Sequence, residues 1–339
     1  MKPKVLLNGV GRIGKAILRL SLQTDALDVV AINEINPSNE SIAYSINYDS
    51  TYGALAEKFA VEGEYLRTAH TTIRILHHAS LPQVDLHGID LIIDASGSPI
   101  DPHALKALGI PVFLTHPYAQ ADINVILGVN EADLDPKHHT LISTSSCNAT
   151  ALLPLLKLLD DHRGIEVGDI VTVHPLLGHQ KVLDGGCVGN TDRGVDCNLE
   201  FGRSSTQNII PSRTTTIDAC SYVLPAFDRA RIASGSLRVP TPTVGAINVT
   251  LLLKKPTTAH EIIALCEAYA QHQTHPILLN NHAPLVSSDF QSQHHTTIVD
   301  HRFTDVVGDR LLKMLVWYDN EWGYASKVVE IVKTYQQKA

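Results

Sequence analysis

The chain has 339 residues and a formal net charge of −8 at pH 7, with 44% hydrophobic and 18% charged residues. This composition describes a globular protein of two domains and excludes a disordered or fibrous chain. The acidic balance gives no reason to expect nucleic acid or an anionic membrane as a partner, and no apolar run reaches the ~18 residues of a transmembrane helix.

The first half of the chain alternates short aliphatic runs with amphipathic stretches. Residues 4–9 (KVLLNG) indicate a buried strand, residues 12–23 carry apolar side chains at helical spacing, and residues 27–34 indicate a second strand. Further aliphatic runs lie at residues 89–97, 110–117, 123–130 and 139–146. Aliphatic strands separated by helices predict a mostly parallel sheet covered on both faces, here an N-terminal Rossmann dinucleotide-binding domain of an α/β protein over residues 1–146.

The pattern changes from about residue 165. Longer strand-like runs with fewer helices between them predict an α+β catalytic domain with a mostly antiparallel sheet over residues 147–319. The last segment, residues 320–339, is an amphipathic helix that we expect to pack back onto the first domain. A densely polar stretch at residues 185–208 is long for a connection, and such loops are usually functional or lie at an interface.

A glycine motif follows the first strand. Gly9, Gly11 and Gly14 have G-x-G-x-x-G spacing and lead into a helix, whose N-terminus favours a pyrophosphate. Glu34 ends the second strand, where an acidic side chain accepts hydrogen bonds from ribose hydroxyls and repels a 2′-phosphate. A glycine-rich turn without a ligand is the alternative. With strand, helix and acid in register, we predict NAD as the cofactor.

Cys147 lies between a strand and a convincing helix. The five cysteines lack paired C-x-x-C spacing, which argues against a disulfide framework or a metal site and favours a reducing compartment, so we expect a cytoplasmic protein without bound metal. A thiol at a helix N-terminus is stabilised as thiolate, and a cationic imidazole such as that of His174, at the end of a later strand, would lower its pKa further. Alone, Cys147 could equally be a buried structural thiol.

Seven blocks decide between these interpretations. They are NGVGRIGK (8–15), YDSTYG (48–53), SCNAT (146–150), TVHPLLGHQKVLDG (172–185), GRSSTQNIIP (202–211), LRVPTPTV (237–244) and WYDNEWGYASKVV (317–329). In their order and spacing the chain resembles the glyceraldehyde-3-phosphate dehydrogenase superfamily along its whole length. The resemblance implies that Cys147 attacks an aldehyde to give a thiohemiacetal and that His174 is the base while hydride passes to NAD, which leaves a thioester for phosphate or water to cleave.

The resemblance also implies the binding residues. Those matching cofactor positions are Gly9, Gly11, Arg12, Ile13, Gly14, Glu34, Ser96, Gly97, Thr115 and Asn320, the last holding the nicotinamide carboxamide. Those matching the substrate and phosphate sites are Ser146, Asn148, Thr214, Thr215 and Arg238. Relatives carry an S-loop, here residues 179–203, that packs between subunits, so a homotetramer is expected.

Two departures concern the phosphate sites. The glycolytic pattern SCTTN is replaced by SCNAT, so Asn148 stands where a threonine contacts phosphate. Leu177 stands where that pattern has a threonine three residues after the catalytic histidine, with His179 two residues further on. An aliphatic side chain cannot hydrogen-bond a phosphate, so one phosphate pocket is altered.

The erythrose-4-phosphate dehydrogenase branch is similar at this point. It also has an apolar residue in place of that threonine, and it shares AINE, LTHP, PLVSSDF, HTTIVD and LVWYDNEWG with this chain. The combination predicts oxidation of D-erythrose 4-phosphate to 4-phosphoerythronate, with water cleaving the thioester. The alternatives are a phosphorylating glyceraldehyde-3-phosphate dehydrogenase, a dehydrogenase of a more distant phosphorylated aldehyde, and a non-catalytic NAD-binding homologue with a regulatory or interaction role.

Overall fold

A computed structural model describes residues 2–187 and 199–339. The chain divides into two units. The first comprises Met1–Val125, Glu131–Ser145 and Ala325–Ala339, and the second comprises Ile126–Asn130 and Ser146–Tyr324. The middle of the predicted S-loop, residues 188–198, lies outside the described residues.

The first unit is built on a largely parallel sheet. Its strands are β1 (Lys4–Asn8), β2 (Asp28–Asn33), β3 (Tyr48–Asp49), β4 (Gly53–Ala54), β5 (Ala60–Glu62), β6 (Tyr65–Arg67), β7 (Thr72–Leu76), β8 (Leu91–Asp94), β9 (Val112–Leu114), β10 (Ile123–Asn124) and β11 (Leu141–Ser143). Its first three helices are α1 (Arg12–Thr24), α2 (Asn39–Asn47) and α3 (Pro102–Lys106).

The strand order of this sheet positions a ligand crevice. Among the described residues the order is β10-β11-β9-β8-β1-β2-β7-β6-β5, and β3 pairs with β4 separately. All pairs from β10 to β7 are parallel. The chain runs outward from β1 in one direction through β2 and β7 and in the other through β8 and β9. In such sheets a ligand binds beyond the carboxyl ends of the strands where the order reverses, here β1 and β8.

The second unit is built on a mostly antiparallel sheet. Its helices are α4 (Cys147–Arg163), α5 (Thr216–Ser221) and α6 (Ala259–His272), and its strands are β12 (Ile165–His174), β13 (Ile210–Ser212), β14 (Ile232–Arg238), β15 (Gly245–Leu253), β16 (Leu278–Asn281), β17 (Thr297–Val307) and β18 (Leu311–Tyr318). The order in the described residues is β13-β14-β12-β15-β18-β17-β16, antiparallel except for the β12–β14 and β16–β17 pairs. The predicted fold class is therefore confirmed.

Helix α4 forms the centre of the second core. The side chain of Ser146 caps its N-terminus, and Gly164 ends it with a positive φ of 68°. Leu152, Leu155 and Leu159 are fully buried against strands of the sheet. The helix is apolar nearly all round because it is covered on most sides, and this burial fixes where its first residue, Cys147, must lie.

The last helix, α7 (Trp322–Lys338), belongs to the first unit from Ala325 onward. Tyr335 there contacts the ring of Phe113 edge-on at 5.3 Å, and its hydroxyl donates to the carbonyl of His139. The ammonium of Lys338 donates to carbonyls of the loop at Glu131. The C-terminal segment is thus held to this unit by an aromatic contact and by hydrogen bonds at its end.

Two further observations bear on the sequence predictions. No helix within the described part of the chain is long and apolar enough to cross a membrane. Cys147, Cys220 and Cys266 are free thiols, whereas Cys187 is disulfide-bonded. Because one cysteine is disulfide-bonded, the cysteine pattern no longer indicates a reducing compartment.

Candidate functional site

The glycine motif forms an open turn at the carboxyl end of β1. Gly9 has a φ of +87°, and a Cβ there would lie 2.6 Å from Cα of Ser96. A Cβ on Gly14 would lie 2.0 Å from the carbonyl oxygen of Gly9, so both positions require glycine. At Gly11 a Cβ would meet nothing within 4 Å, and no side chain caps the N-terminus of α1. The turn is therefore tightly packed at Gly9 and Gly14 and open at Gly11, which leaves room for a pyrophosphate to approach the backbone.

Glu34 lies against this turn from the end of β2. Its Oε2 accepts a hydrogen bond from the backbone N–H of Val10 at 3.0 Å, and its Oε1 accepts one from the N–H of Asn36 at 3.3 Å. The carboxylate is therefore held beside the glycine turn and presents acceptors where ribose hydroxyls can donate. These contacts fit an adenosine ribose, and the negative charge disfavours a 2′-phosphate.

The neighbouring loops rest on a buried polar network that the sequence analysis missed. Asn33 donates to Oδ1 of Asn8 at 2.7 Å, and Asn8 donates to Oδ1 of Asp94 at 2.9 Å. Asp94 in turn accepts from the backbone and hydroxyl of Ser96, and its carbonyl accepts from the hydroxyl of Thr115. The ends of β1, β2 and β8 are thus tied together directly below the predicted cofactor residues. The sequence does contain a sign of this network, because each of the three aliphatic strands ends in a polar residue.

The remaining cofactor residues of this unit lie in the loop after β8 and in the first turn of α1. Gly97 follows Ser96 with a φ of +63°. The guanidinium of Arg12 bonds Asp49 at 2.5 Å, with Lys15 at 3.2 Å from the same carboxylate, and Ile13 is half-buried beside it. Burial opposes ionisation of Asp49, but backbone N–H groups and these two cations outweigh it and hold its pKa at about 2. Arg12 is therefore oriented by an ion pair.

The predicted nucleophile and base meet in the second unit. Cys147 is the first residue of α4, and Oγ of Ser146 accepts from the N–H of Ala149 at 3.3 Å to cap that helix. His174 is the last residue of β12, and its Nε2 lies 3.8 Å from Sγ of Cys147. The other ring nitrogen, Nδ1, lies 2.9 Å from the carbonyl oxygen of Pro175. Because a carbonyl only accepts, Nδ1 carries the proton and Nε2 presents its lone pair to the thiol.

Burial decides the charges of this pair. It raises the pKa of Cys147 to about 11, although the charge of Arg238 and the backbone N–H groups of Asn148 and Cys147 favour thiolate. It also lowers the pKa of His174 to about 4, and the charge of Arg238 adds to that shift. Burial therefore disfavours the charged form of both groups. The predicted lowering of the thiol pKa at the helix N-terminus is not found, because desolvation outweighs the charge of Arg238 and the backbone N–H groups; the effect of an imidazolium stays a prediction.

Arg238 provides the positive charge of the site. It ends β14, and the β12–β14 register pairs it with His174. Its Nε and Nη1 are buried without a hydrogen-bond partner among the described residues, and burial lowers its pKa. The hydroxyl of Tyr318, which sequence reasoning missed, is likewise buried and unpartnered, and its ring lies 6.4 Å from that of His174. Such donors are normally satisfied, so their state here indicates a place for an anionic ligand.

Asn148 continues the site on the other side of Cys147. Its Oδ1 lies 3.6 Å from Sγ, and its Nδ2 donates to Oγ1 of Thr216 at 3.1 Å. Thr216 in turn lies 2.6 Å from Thr214, hydroxyl to hydroxyl. The sequence analysis named Thr214 and Thr215, but the structure places the next residue, Thr216, against Asn148 and leaves Thr215 exposed. A run of three threonines gave no means of choosing between neighbours.

The last predicted residues lie at the edges of this unit. Asn320 follows β18, and its Oδ1 accepts from the N–H of Val244 at 3.1 Å and from the hydroxyl of Thr243 at 3.3 Å, which leaves the amide nitrogen to donate. The N–H of Leu177 donates to Gln180 at 2.7 Å. His179 is exposed with its ring 5.9 Å from that of Phe201. No cluster of metal-binding side chains occurs in residues 2–187 and 199–339.

Comparison with known proteins gives similar results for both units. Residues 3–102 match the family described as "Glyceraldehyde 3-phosphate dehydrogenase, NAD binding domain", and residues 146–320 match "Glyceraldehyde 3-phosphate dehydrogenase, C-terminal domain". The chain is 33% identical over 344 aligned positions to "Glyceraldehyde-3-phosphate dehydrogenase 2" of Bacillus subtilis (strain 168), which covers 98% of this chain and 96% of that protein.

Proposed function

Because this chain belongs to the glyceraldehyde-3-phosphate dehydrogenase family and is an NAD-dependent oxidoreductase, we propose that it oxidises D-erythrose 4-phosphate to 4-phosphoerythronate. The reaction passes through a thiohemiacetal and a thioester on Cys147, and water cleaves the thioester. The observation that carries this proposal is the thiol–imidazole pair at 3.8 Å together with the buried guanidinium of Arg238, whose Nε and Nη1 have no hydrogen-bond partner among the described residues.

The roles follow from the protonation states. Nε2 of His174 takes the thiol proton as Sγ attacks the aldehyde carbon, and a neutral imidazole with its Nδ1 proton fixed by Pro175 is ready for this. Backbone N–H groups of Cys147 and Asn148 face Sγ and suit the developing oxyanion. NAD, when bound, accepts the hydride. Arg238 provides two unpartnered donors for the phosphate of the substrate.

Support for the four-carbon substrate comes from two positions. Leu177 removes a hydroxyl from one phosphate pocket, and the amide nitrogen of Asn148 is already bonded to Thr216. An enzyme that uses inorganic phosphate as the acyl acceptor needs donors for a second anion; Leu177 offers none, and one of the two amide N–H groups of Asn148 is already engaged by Thr216. The shared blocks of the erythrose-4-phosphate dehydrogenase branch point the same way.

The second candidate is a phosphorylating glyceraldehyde-3-phosphate dehydrogenase. It is favoured by the printed name of the Bacillus subtilis relative. The test measures NADH formation with each of the two sugar phosphates, with and without inorganic phosphate. If NADH formation requires inorganic phosphate and is faster with glyceraldehyde 3-phosphate than with D-erythrose 4-phosphate, this second candidate is the correct one.

A third candidate is a non-catalytic NAD-binding homologue. Against it stands the joint retention of Cys147, His174, Arg238 and Asn320, since drift would be expected to remove one of them. NAD binding without turnover of any sugar phosphate would establish this candidate and refute the enzymatic proposal.

We further propose that the active form is a homotetramer. Large apolar side chains in and just after the predicted S-loop are exposed in the single chain, with Leu183 71%, Leu199 82% and Ile209 65% accessible. Exposed apolar groups of this size are usually covered in an assembly. Sedimentation equilibrium of the native protein measures the mass directly, and a monomer at micromolar concentration would contradict the assembly.

A further inference from the structure

In the hydrogen bonds around Asn148, the amide oxygen lies towards the reacting sulfur and the amide nitrogen towards Thr216. Nδ2 donates to Oγ1 of Thr216, a residue only 2% exposed. The hydroxyls of Thr216 and Thr214 lie 2.6 Å apart, and the N–H of Thr216 also donates to Oγ1 of Thr214 at 3.2 Å. With Nδ2 engaged, Oδ1 is directed at Sγ of Cys147, 3.6 Å away. A neutral thiol can only donate, so an acceptor is the proper partner for it.

The backbone of Thr214 anchors this chain of hydrogen bonds. Its carbonyl accepts from Arg229, whose guanidinium also forms a two-point ion pair with Asp218 at 2.5 and 2.6 Å. The three hydrogen-bonded residues, Asn148, Thr214 and Thr216, are all at least nine-tenths buried. The orientation of the Asn148 amide is therefore held from two elements, α4 and the N-terminal end of α5.

Two kinds of polar group consequently surround Sγ. The backbone N–H groups of Cys147 and Asn148 are donors. The side-chain atoms within 4 Å are both acceptors, Oδ1 of Asn148 and Nε2 of His174. Once the sulfur carries an acyl group, the donors suit the carbonyl oxygen of the thioester. His174, which took the thiol proton in the first half-reaction, releases it to solvent once the thioester has formed, so both acceptor atoms can then accept the two protons of a water molecule.

We propose that Asn148, held by Thr216, is a positioning residue that orients the hydrolytic water on the acyl-enzyme and thereby selects water over inorganic phosphate. The inference rests on the proposed function, because it concerns the second half of that reaction. A water bound to both acceptors directs an oxygen lone pair at the carbonyl carbon. A phosphate anion at the same place would set its oxygens against Oδ1, which repels them.

The step balances without a further reactant. The water oxygen bonds to the thioester carbon, and one water proton passes to Nε2 of His174. The carbon–sulfur bond then breaks, and the thiolate of Cys147 takes that proton back from His174. The products are the carboxylic acid and the free thiol, and no electrons are transferred in this half-reaction.

Three variants of the whole enzyme test the inference. Asn148→Ala removes the acceptor, Thr216→Val removes the hydroxyl that orients the amide, and Thr216→Ser restores that hydroxyl. Rapid mixing with NAD and D-erythrose 4-phosphate separates the first turnover from later ones. We expect the first two variants to keep the first turnover and to slow the later turnovers about tenfold, so that a burst of one NADH per site appears. Thr216→Ser should recover the later rate to within about twofold.

The product distribution provides a readout that a merely structural role would not move. With inorganic phosphate present, we expect the acyl phosphate detected by phosphorus NMR to rise in Asn148→Ala and Thr216→Val relative to the wild type. The matched control is Thr296→Val, another buried threonine whose hydroxyl is unpartnered and which lies outside the site. It should change neither the burst nor the products.

Failure of this inference is distinguishable from failure of the proposed function. If the first turnover occurs but later turnovers and products are unchanged in Asn148→Ala and Thr216→Val, the positioning role is overturned and the oxidation stands. If the wild type forms no NADH in the first turnover with either sugar phosphate, the proposed function itself is overturned. If Thr216→Ser behaves as Thr216→Val does, orientation through the hydroxyl is refuted.

Discussion

Alkylation of Cys147 separates two descriptions of the free enzyme, a neutral thiol–imidazole pair and a preformed thiolate–imidazolium pair. The perturbations are His174→Asn and Arg238→Met, with Arg238→Lys as the variant that retains the positive charge. If the pair is neutral, removing His174 changes the thiolate fraction by less than about threefold. Removing the charge of Arg238, which favours thiolate, slows alkylation about tenfold, one pKa unit.

The expected balance follows from the structure. The pKa values of about 11 for Cys147 and about 4 for His174 differ by about 7, which corresponds to about 10 kcal/mol against the charged pair. Attraction between the two charges at 3.8 Å returns about 4 kcal/mol at an effective dielectric constant near 20. The neutral pair is therefore more stable by about 6 kcal/mol. Because only thiolate reacts, the alkylation rate should rise about tenfold per pH unit from pH 6 to 10.

The assay measures carboxamidomethylation of the Cys147 peptide by mass spectrometry after timed exposure of the native enzyme to iodoacetamide. The other free thiols, Cys220 and Cys266, are buried with raised pKa values and serve as internal references. A fast rate that is constant between pH 6 and 8, or a loss of about a hundredfold in His174→Asn, would refute the reasoning. Either result would mean that the ion pair exists before substrate binds.

Three further substitutions have defined outcomes. Cys147→Ser should abolish NADH formation while NAD affinity, measured by calorimetry, stays within twofold, and surviving activity of one half would show that another residue is the nucleophile. Glu34→Gln should lower the preference for NAD over NADP about tenfold in kcat/KM, because it removes the charge that repels a 2′-phosphate, and an unchanged ratio would remove Glu34 from the cofactor site. Burial and the nearby His282 lower the pKa of His301 to about 4, so its contribution to stability is present above pH 6.5 and is lost as the pH falls towards 4. His301→Gln should therefore reduce the loss in free energy of unfolding across that range by about 3 kcal/mol, as measured by urea titration, and parallel curves for variant and wild type would contradict it.

The fold was predictable from the sequence because its signals are local. The aliphatic runs of β1 and β8 are buried on both faces, and such strands show as continuous apolar stretches. Gly14 is required by its contact with the carbonyl oxygen of Gly9, five residues earlier, so their spacing indicates the turn, although Gly9 also meets Ser96 from a distant loop. The change to longer strands after residue 165 likewise indicates the antiparallel sheet.

The chemistry of the site was less predictable because it depends on burial and on contacts between distant parts of the chain. The sequence places Cys147 at a helix N-terminus, which favours thiolate, but it does not show how deeply the thiol is desolvated. It also does not show that Asn148 bonds Thr216, 68 residues later, or that the ring of Tyr318, whose buried hydroxyl has no partner among the described residues, lies beside that of His174. Both facts arise from contacts between elements that are distant in the sequence.

The two departures from the glycolytic pattern, Leu177 and Asn148, both change the hydrogen-bonding groups of the predicted phosphate sites from donors towards acceptors or apolar groups. A threonine hydroxyl can donate to an anion, whereas the aliphatic Leu177 cannot, and Asn148 turns its acceptor towards the sulfur because its donor is bonded to Thr216. Arg238 still offers two buried donors, enough for the one phosphate group that the sugar carries. An incoming inorganic phosphate would need donors of its own at positions where this chain has a methyl group and a carbonyl oxygen. Water needs acceptors instead, so under the proposed function these two substitutions suit water as the acyl acceptor better than inorganic phosphate.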